Sequence, residues 1–237
     1  LNSRANKTGS SKTFIPDELF ETDSDRKEVA ALSDYIREQR LEPSLAMFIV
    51  CVSILRMHGL IDTVQQCDII RNEKIVLRKH RYLAMALNEW RKNVAAGIND
   101  QAIKILEFPL PLQGNIAGII YQSILIEGEK SKLGSYYTPD WIVERIAERL
   151  AGYGGLFLDP CCGTGQLLLA FGGKTGTPEK IYGIDIDPVA VNVARINLMI
   201  KFSDIDFEPK IFCNDSLMNY NESLLFDSID SLPQFDI

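Results

Sequence analysis

At 237 residues the chain is long enough to bury a substantial core and to hold two domains. Apolar residues make up 46% of it and the net charge is -7, a balance expected of an ordinary soluble globular protein. The strongest apolar run, Leu45 to Leu55, falls well short of the roughly 18 residues of a membrane span. Leu1 to Lys12 is polar and lacks the apolar centre of a signal peptide, so no membrane partner and a cytoplasmic location are expected. Leu1 in place of an initiating Met reads as truncation or processing.

Taken in chain order, residues 1–25 are polar with scattered Gly, Ser and charge, and read as a flexible lead. Helical apolar spacing then recurs over Arg26–Arg40, Ser44–Gly59, Val64–Arg71, Glu73–Ala96 and Ile116–Glu127. Pro43, Gly59, Gly97 and the Pro109–Pro111 turn break these runs. Residues 26–127 are therefore expected to form an all-helical amino-terminal domain. Within Glu73–Ala96, Lys74, Arg78 and Arg81 would share one helix face, either as a basic cluster or simply as a solvated surface. The mixed-charge stretch Gly128–Gly134 reads as the linker into a second domain, residues 128–237.

That second domain changes character. Gly155–Leu158 reads as a short apolar strand and Leu167–Phe171 as the start of a helix. Asp159, Pro160, Cys161, Cys162, Gly163, Thr164 and Gly165 lie between them. A glycine loop where a strand gives way to a helix is the usual ligand crevice of an open α/β sheet, because glycine lets backbone approach a ligand without a Cβ in the way. A second strand, Ile181–Ile186, carries Asp185, twenty positions beyond Gly165, where an acid is placed to accept hydrogen bonds from ribose hydroxyls. Pro188 suits the first turn of the helix Val189–Ile200, and Asp187 beside it reads as a cap. A third strand, Lys210–Asn214, is followed by Asp215. Any one of Asp159, Asp185 and Asp215 is equally well explained as a helix cap or loop solvation; three in succession after a Gly-x-Gly point to a nucleoside site.

The rival is a dinucleotide-binding loop, which expects Gly-x-Gly-x-x-Gly, whereas the third position here is Leu168. Asp159 ahead of the loop would repel a pyrophosphate and attract an ammonium group. The residues thus favour S-adenosylmethionine. The five cysteines, Cys51, Cys67, Cys161, Cys162 and Cys213, are odd in number and read as reduced thiols. With no Cys or His partner at ligand spacing, no metal site is expected. Residues 134–237 carry seven Lys plus Arg against fifteen Asp plus Glu, so this half is the acidic one and offers no evident phosphate-binding face.

Together these segments resemble the DNA adenine amino-methyltransferases of Type I modification subunits and fused restriction-modification enzymes. Gly134–Pro139, with Ile142 and Val143, is similar to their Tyr-Thr-Pro motif. Asp159–Gly165 is similar to their Asp-Pro-x-Cys-Gly-x-Gly loop. Gly183–Pro188, with Ala190 and Asn197, resembles their second motif, and Asn214, Asp215 and Leu217 the third. The resemblance spans about Asn115 to Ile237. It implies a Rossmann-like S-adenosylmethionine-dependent core, here partial, behind the helical domain.

It also implies roles. Thr138 would bond the methionyl carboxylate, with Tyr137 beside it. Asp159, Pro160 and the Gly163 and Gly165 backbone would hold the methionine part. Asp185 would take the ribose hydroxyls, Ile186 would pack on adenine, and Asp215 would accept from the adenine amino group. Tyr136 and Tyr137 are equally well read as core aromatics covering the sheet edge. In the family a Phe-Asp-Ile strand leads into the catalytic Asn-Pro-Pro-aromatic motif; this sequence stops at Phe235, Asp236, Ile237, so no catalytic residue is assigned and the chain alone is expected to transfer no methyl group. Double-stranded DNA, met through a longer parent protein, and specificity or restriction subunits are the implied partners. A noncatalytic cofactor-binding module, or a methyltransferase acting on protein glutamine or RNA, stands as the alternative.

Overall fold

The structure, a computed structural model, describes residues 19–71, 75–125, 138–150, 152 and 154–216. The linker reading at 128–134, Tyr136, Tyr137 and the closing Phe235–Ile237 lie outside them.

The front of the chain is helical. Helix α1 (Asp23–Glu38) opens on a reciprocal capping box between Thr22 and Asp25. Helix α2 (Pro43–Met57) is capped by the Glu42 carboxylate, which accepts from Leu45 N at 2.8 Å, and carries proline in its first turn. Every residue of α2 from Leu45 to Leu55 is buried, so this helix is apolar all round because it runs through the middle of the helical layer. Around it lie α3 (Thr63–Arg71), α4 (Arg81–Val94), the single-turn α5 (Asp100–Ile103) and α6 (Ile116–Ile124). Phe48 of α2 meets Trp90 of α4 edge to face, with ring centroids 5.7 Å apart.

One helix differs from its sequence reading. In place of a helix over Glu73–Ala96, α4 begins at Arg81, and the described residues 75–80 are non-helical. The Asn88 side chain holds Ile75 in the manner of a strand partner, accepting from its N–H and donating to its carbonyl, each at 2.8 Å. Burial there alternates, Ile75 and Leu77 inward and Val76 outward, which is period two rather than 3.6. Arg78 therefore precedes the helix and cannot share a helix face with Arg81; Lys74 is outside the described residues.

Behind the helices lies a parallel sheet in the order β1 (Phe157–Asp159), β2 (Ile181–Asp185), β3 (Lys210–Cys213). Helices α8 (Gln166–Thr175) and α9 (Pro188–Lys201) connect the strands, and α7 (Asp140–Leu150) packs on α8. Asp159 pairs with Gly183 and Asp185 with Cys213, so each strand-end acid sits two residues further along than its neighbour's. A step of two preserves the side-chain parity of the sheet and climbs steadily across its carboxyl edge. Phe157 stacks on Phe171 of α8 with centroids 4.2 Å apart, fixing the helix over β1.

Helix α9 joins the two layers. Val189, Ala190, Val193, Ile196 and Met199 belong to the apolar cluster of the front helices. Val191, Ala194 and Leu198, on the opposite stripe, belong to the cluster of the sheet. A helix with two apolar stripes can be buried on both sides. The chain is thus an α/β protein, rich in helix, built on a small parallel sheet.

Candidate functional site

The loop after β1 is made by three local interactions. The Asp159 side chain accepts from Cys161 N at 3.1 Å, turning the chain at once after the strand. Cys162 N donates to the Ile184 carbonyl at 2.9 Å, and the Cys162 side chain is buried above Gly183, where a Cβ would come within 2.9 Å of its sulfur. Burial drives the Cys162 thiol pKa upward, with the nearby Asp159 and Asp185 charges adding to it. Cys162 is therefore a packing residue, and Cys161 is exposed beside Ser216. Pro160 is exposed at the turn.

Gly163 and Gly165 adopt φ of +51° and +87°, conformations that L side chains rarely take. A Cβ on Gly163 would meet nothing within 4 Å, so the loop surface there is open to a ligand. Gly165 is constrained twice, because its Cβ would also come within 3.1 Å of Ala194 Cβ on α9. Gly165→Ala is therefore expected to lower unfolding stability by at least about 1 kcal/mol. A denaturation midpoint within error of the wild type would contradict this.

Asp185 closes the loop from the second strand. One carboxylate oxygen accepts from Gly163 N at 2.7 Å and the other from Asp187 N at 3.0 Å. Asn214 N donates to the Asp185 carbonyl at 2.8 Å, which carries the β2–β3 pairing one residue beyond the strand. Asp185 thus touches the glycine loop, the start of α9 and the end of β3. Its neighbour Ile186 is 55% exposed, an unusual position for isoleucine and a ready apolar platform at the sheet edge. Asp187 does cap α9, accepting from Val189 N at 2.9 Å. Asp215 follows Asn214, whose side chain takes the Asp215 N–H at 2.9 Å.

Asp159 is half-buried, and its pKa is raised, first by desolvation and further by the Asp185 charge, against the lowering effect of the Cys161 N–H. A carboxylate whose ionisation is opposed by burial and by a neighbouring acid, beside an open glycine loop, leaves a place suited to a positive group. Thr138 is exposed just before α7. Two residues on, Asp140 at the start of α7 accepts a hydrogen bond from Gln166, the residue after Gly165. The structure therefore gathers Asp159, Pro160, Gly163, Gly165, Asp185, Ile186 and Asp215 along one sheet edge; Thr138 lies just before α7, and Tyr137 is outside the described residues. Among the described residues no group of three or more His, Cys, Asp or Glu side chains could hold a metal ion.

Sequence reasoning gave no role to the residues that brace this edge. Asn197 Nδ2, on α9, donates to the Thr164 carbonyl at 3.0 Å and to Asn115 Oδ1 at 3.3 Å. Tyr121 of α6 donates to the Asp187 carboxylate. Polar side chains inside apolar helices were the available signal, since such groups are retained where they are hydrogen-bonded.

Known proteins are similar to part of this chain. The chain is 40% identical over 81 residues to the Type II methyltransferase M.VspI of Vibrio sp. (strain 343), a match covering 33% of this chain and 20% of that protein. It is 33% identical over 91 residues to a ribosomal protein L11 methyltransferase of Carboxydothermus hydrogenoformans, covering 38% and 28% respectively. It is 31% identical over 103 residues to the Type I restriction enzyme HindI methylase subunit of Haemophilus influenzae, covering 39% and 23%. The chain thus spans less than a third of the length of the curated relatives it matches. No helix among the described residues is long and apolar enough to cross a membrane. The family model described as N-6 DNA Methylase matches residues 113–237, more than half of the sequence and the whole of the edge just described, and the chain belongs to that family.

Proposed function

We propose that this chain is the S-adenosylmethionine-binding part of a DNA adenine methyltransferase of a restriction-modification system. The observation that carries the reading is the acidic glycine loop: Asp159, desolvated and facing the Asp185 charge, stands where a dinucleotide fold would receive a pyrophosphate. An ammonium group relieves that arrangement and a phosphate aggravates it. The open surface over Gly163 gives room for the methionine part.

Bound there, S-adenosylmethionine would supply an activated methyl group. The chain's own residues bind and orient. Asp159 pairs with the ammonium, and the Gly163 and Gly165 backbone lies along the methionine part with Pro160 at the turn. Thr138 bonds the methionyl carboxylate, with Tyr137 next to it. Asp185 accepts from the ribose hydroxyls, exposed Ile186 packs on the adenine ring, and Asp215 accepts from the adenine amino group. In this reading residues 26–127 form the helical amino-terminal domain and residues 128–237 the cofactor core, the two packed together through α6 and α9. Double-stranded DNA and specificity or restriction subunits are the proposed partners of the whole protein, in line with the modification enzymes among the relatives.

A second reading, methyl transfer to a protein, is favoured by the relative named as a ribosomal protein L11 methyltransferase. Calorimetry with S-adenosylmethionine, S-adenosylhomocysteine and NAD tests the cofactor: the two sulfur nucleosides bind, and binding of NAD alone would end the proposal. Transfer of labelled methyl by the whole protein to duplex DNA of mixed sequence, against a ribosomal protein acceptor, tests the substrate. Label in DNA supports the first reading, and label only in protein the second.

A further inference from the structure

The cofactor edge is braced from outside the sheet. Tyr121 lies on α6, among the front helices, and is only 2% exposed. Its hydroxyl donates to one oxygen of the Asp187 carboxylate, while the other oxygen caps α9 through Val189 N. Asp187 is thereby fixed at both carboxylate oxygens. Its backbone N–H, held in consequence, donates to Asp185 Oδ1, and the second Asp185 oxygen takes the Gly163 N–H. A continuous hydrogen-bonded chain runs from the front helices to the acid at the sheet edge.

A second strut stands beside it. Asn115, at the start of α6, accepts from Asn197, which also donates to the Thr164 carbonyl inside the glycine loop. Gly118 allows this closeness, since a Cβ there would come within 2.5 Å of both Asn115 Oδ1 and Thr164 Oγ1. Both struts begin on the same helix, and both end on the two segments that present backbone and carboxylate to the crevice. A carboxylate free to rotate would lose orientational freedom on binding; one already held by two N–H donors has little left to lose.

We propose that Tyr121 and Asp187 are positioning residues that aim the Asp185 carboxylate at the ribose, so that helix α6 is a working part of the cofactor site. This rests on the reading of Asp185 as the ribose acid. Neither residue touches the ligand. Their contribution therefore appears only where the ligand has ribose hydroxyls for Asp185 to hold.

The test compares S-adenosylhomocysteine with its 2′,3′-dideoxyribose analogue by calorimetry, well below the unfolding midpoint of each protein. Tyr121→Phe, which removes one hydroxyl and keeps the ring, is expected to weaken S-adenosylhomocysteine about three- to tenfold. Affinity for the dideoxy analogue stays unchanged. Should Tyr121→Phe fail to accumulate as folded protein, Asp187→Ala reads the same coupling. Asp187→Asn, which keeps an oxygen for Val189 N and an amide to meet the Tyr121 hydroxyl, restores the affinity. Equal weakening of both ligands in Tyr121→Phe and Asp187→Ala would mean general loosening and overturn the proposal, and so would no weakening of either. A wild-type protein that binds the two ligands equally well fails differently, because it removes Asp185 from the ribose while the cofactor assignment itself stands.

Discussion

Asp185→Ala weakens S-adenosylhomocysteine binding by about 1.5–3 kcal/mol, the order expected when hydrogen bonds to a charged group are lost. Two contributions add in the same direction. The first is the pair of ribose hydroxyls that lose their acceptor. The second is the loop itself, because Gly163 N and Asp187 N both give up the partner they hold in the folded chain. Asp187→Ala behaves in the opposite proportion. It removes the α9 cap and the Tyr121 contact, so it costs more stability, about 0.5–2 kcal/mol for the cap alone, and less cofactor affinity. Titration calorimetry and denaturant unfolding on both variants read the crossover. If Asp187→Ala proved the worse binder and Asp185→Ala the less stable protein, the two acids would have exchanged roles and the register of β2 against the ligand would be misread.

The features legible in the sequence were those fixed by short-range rules. A glycine pair after an apolar strand, an acid twenty positions on, and Pro188 after Asp187 each follow from local backbone demands, and β1, β2, β3 and α9 appear within a residue or two of where those rules place them. Asp187 shows how far such reasoning reaches. Its capping role is local and was readable, whereas its bond to Tyr121 spans 66 positions and was not. The misread helix over residues 75–80 failed for the same reason. Ile75, Val76, Leu77 and Arg78 fit a helical stripe about as well as an alternating one over so few residues, and what decides is Asn88 reaching back 13 positions to hold Ile75. The double-sided packing of α9 was likewise hidden. Its sequence is apolar enough for either stripe, and only the folded chain assigns Val193 to the helices and Ala194 to the sheet.

Asp159→Asn is expected to make the ligand-free protein more stable at neutral pH while weakening S-adenosylhomocysteine about tenfold to a hundredfold, the range for losing a charge-assisted bond to the ammonium. The two effects have one origin. Burial and the Asp185 charge raise the Asp159 pKa in the folded chain, so ionising it opposes folding. For a carboxyl raised on folding, the favourable contribution is fully present below the unfolded pKa, about 3.9, and is lost as pH rises through the folded value. At pH 7 the wild type therefore carries the whole penalty, and the asparagine carries none. Its side-chain oxygen still accepts the Cys161 N–H, so the turn survives the exchange. Thermal unfolding of both proteins should show the stability advantage of Asp159→Asn at pH 7 shrinking as pH falls below the folded pKa. The ammonium reverses the balance, since a cation beside Asp159 favours its ionised form and binding must expel any proton held there. Affinity of the wild type then declines on acidification through that same raised pKa, while the already weak affinity of Asp159→Asn stays flat. A wild-type affinity independent of pH across that window, or an Asp159→Asn protein that binds as tightly as the wild type, would separate Asp159 from the ammonium and leave the acidic loop without a ligand to explain it.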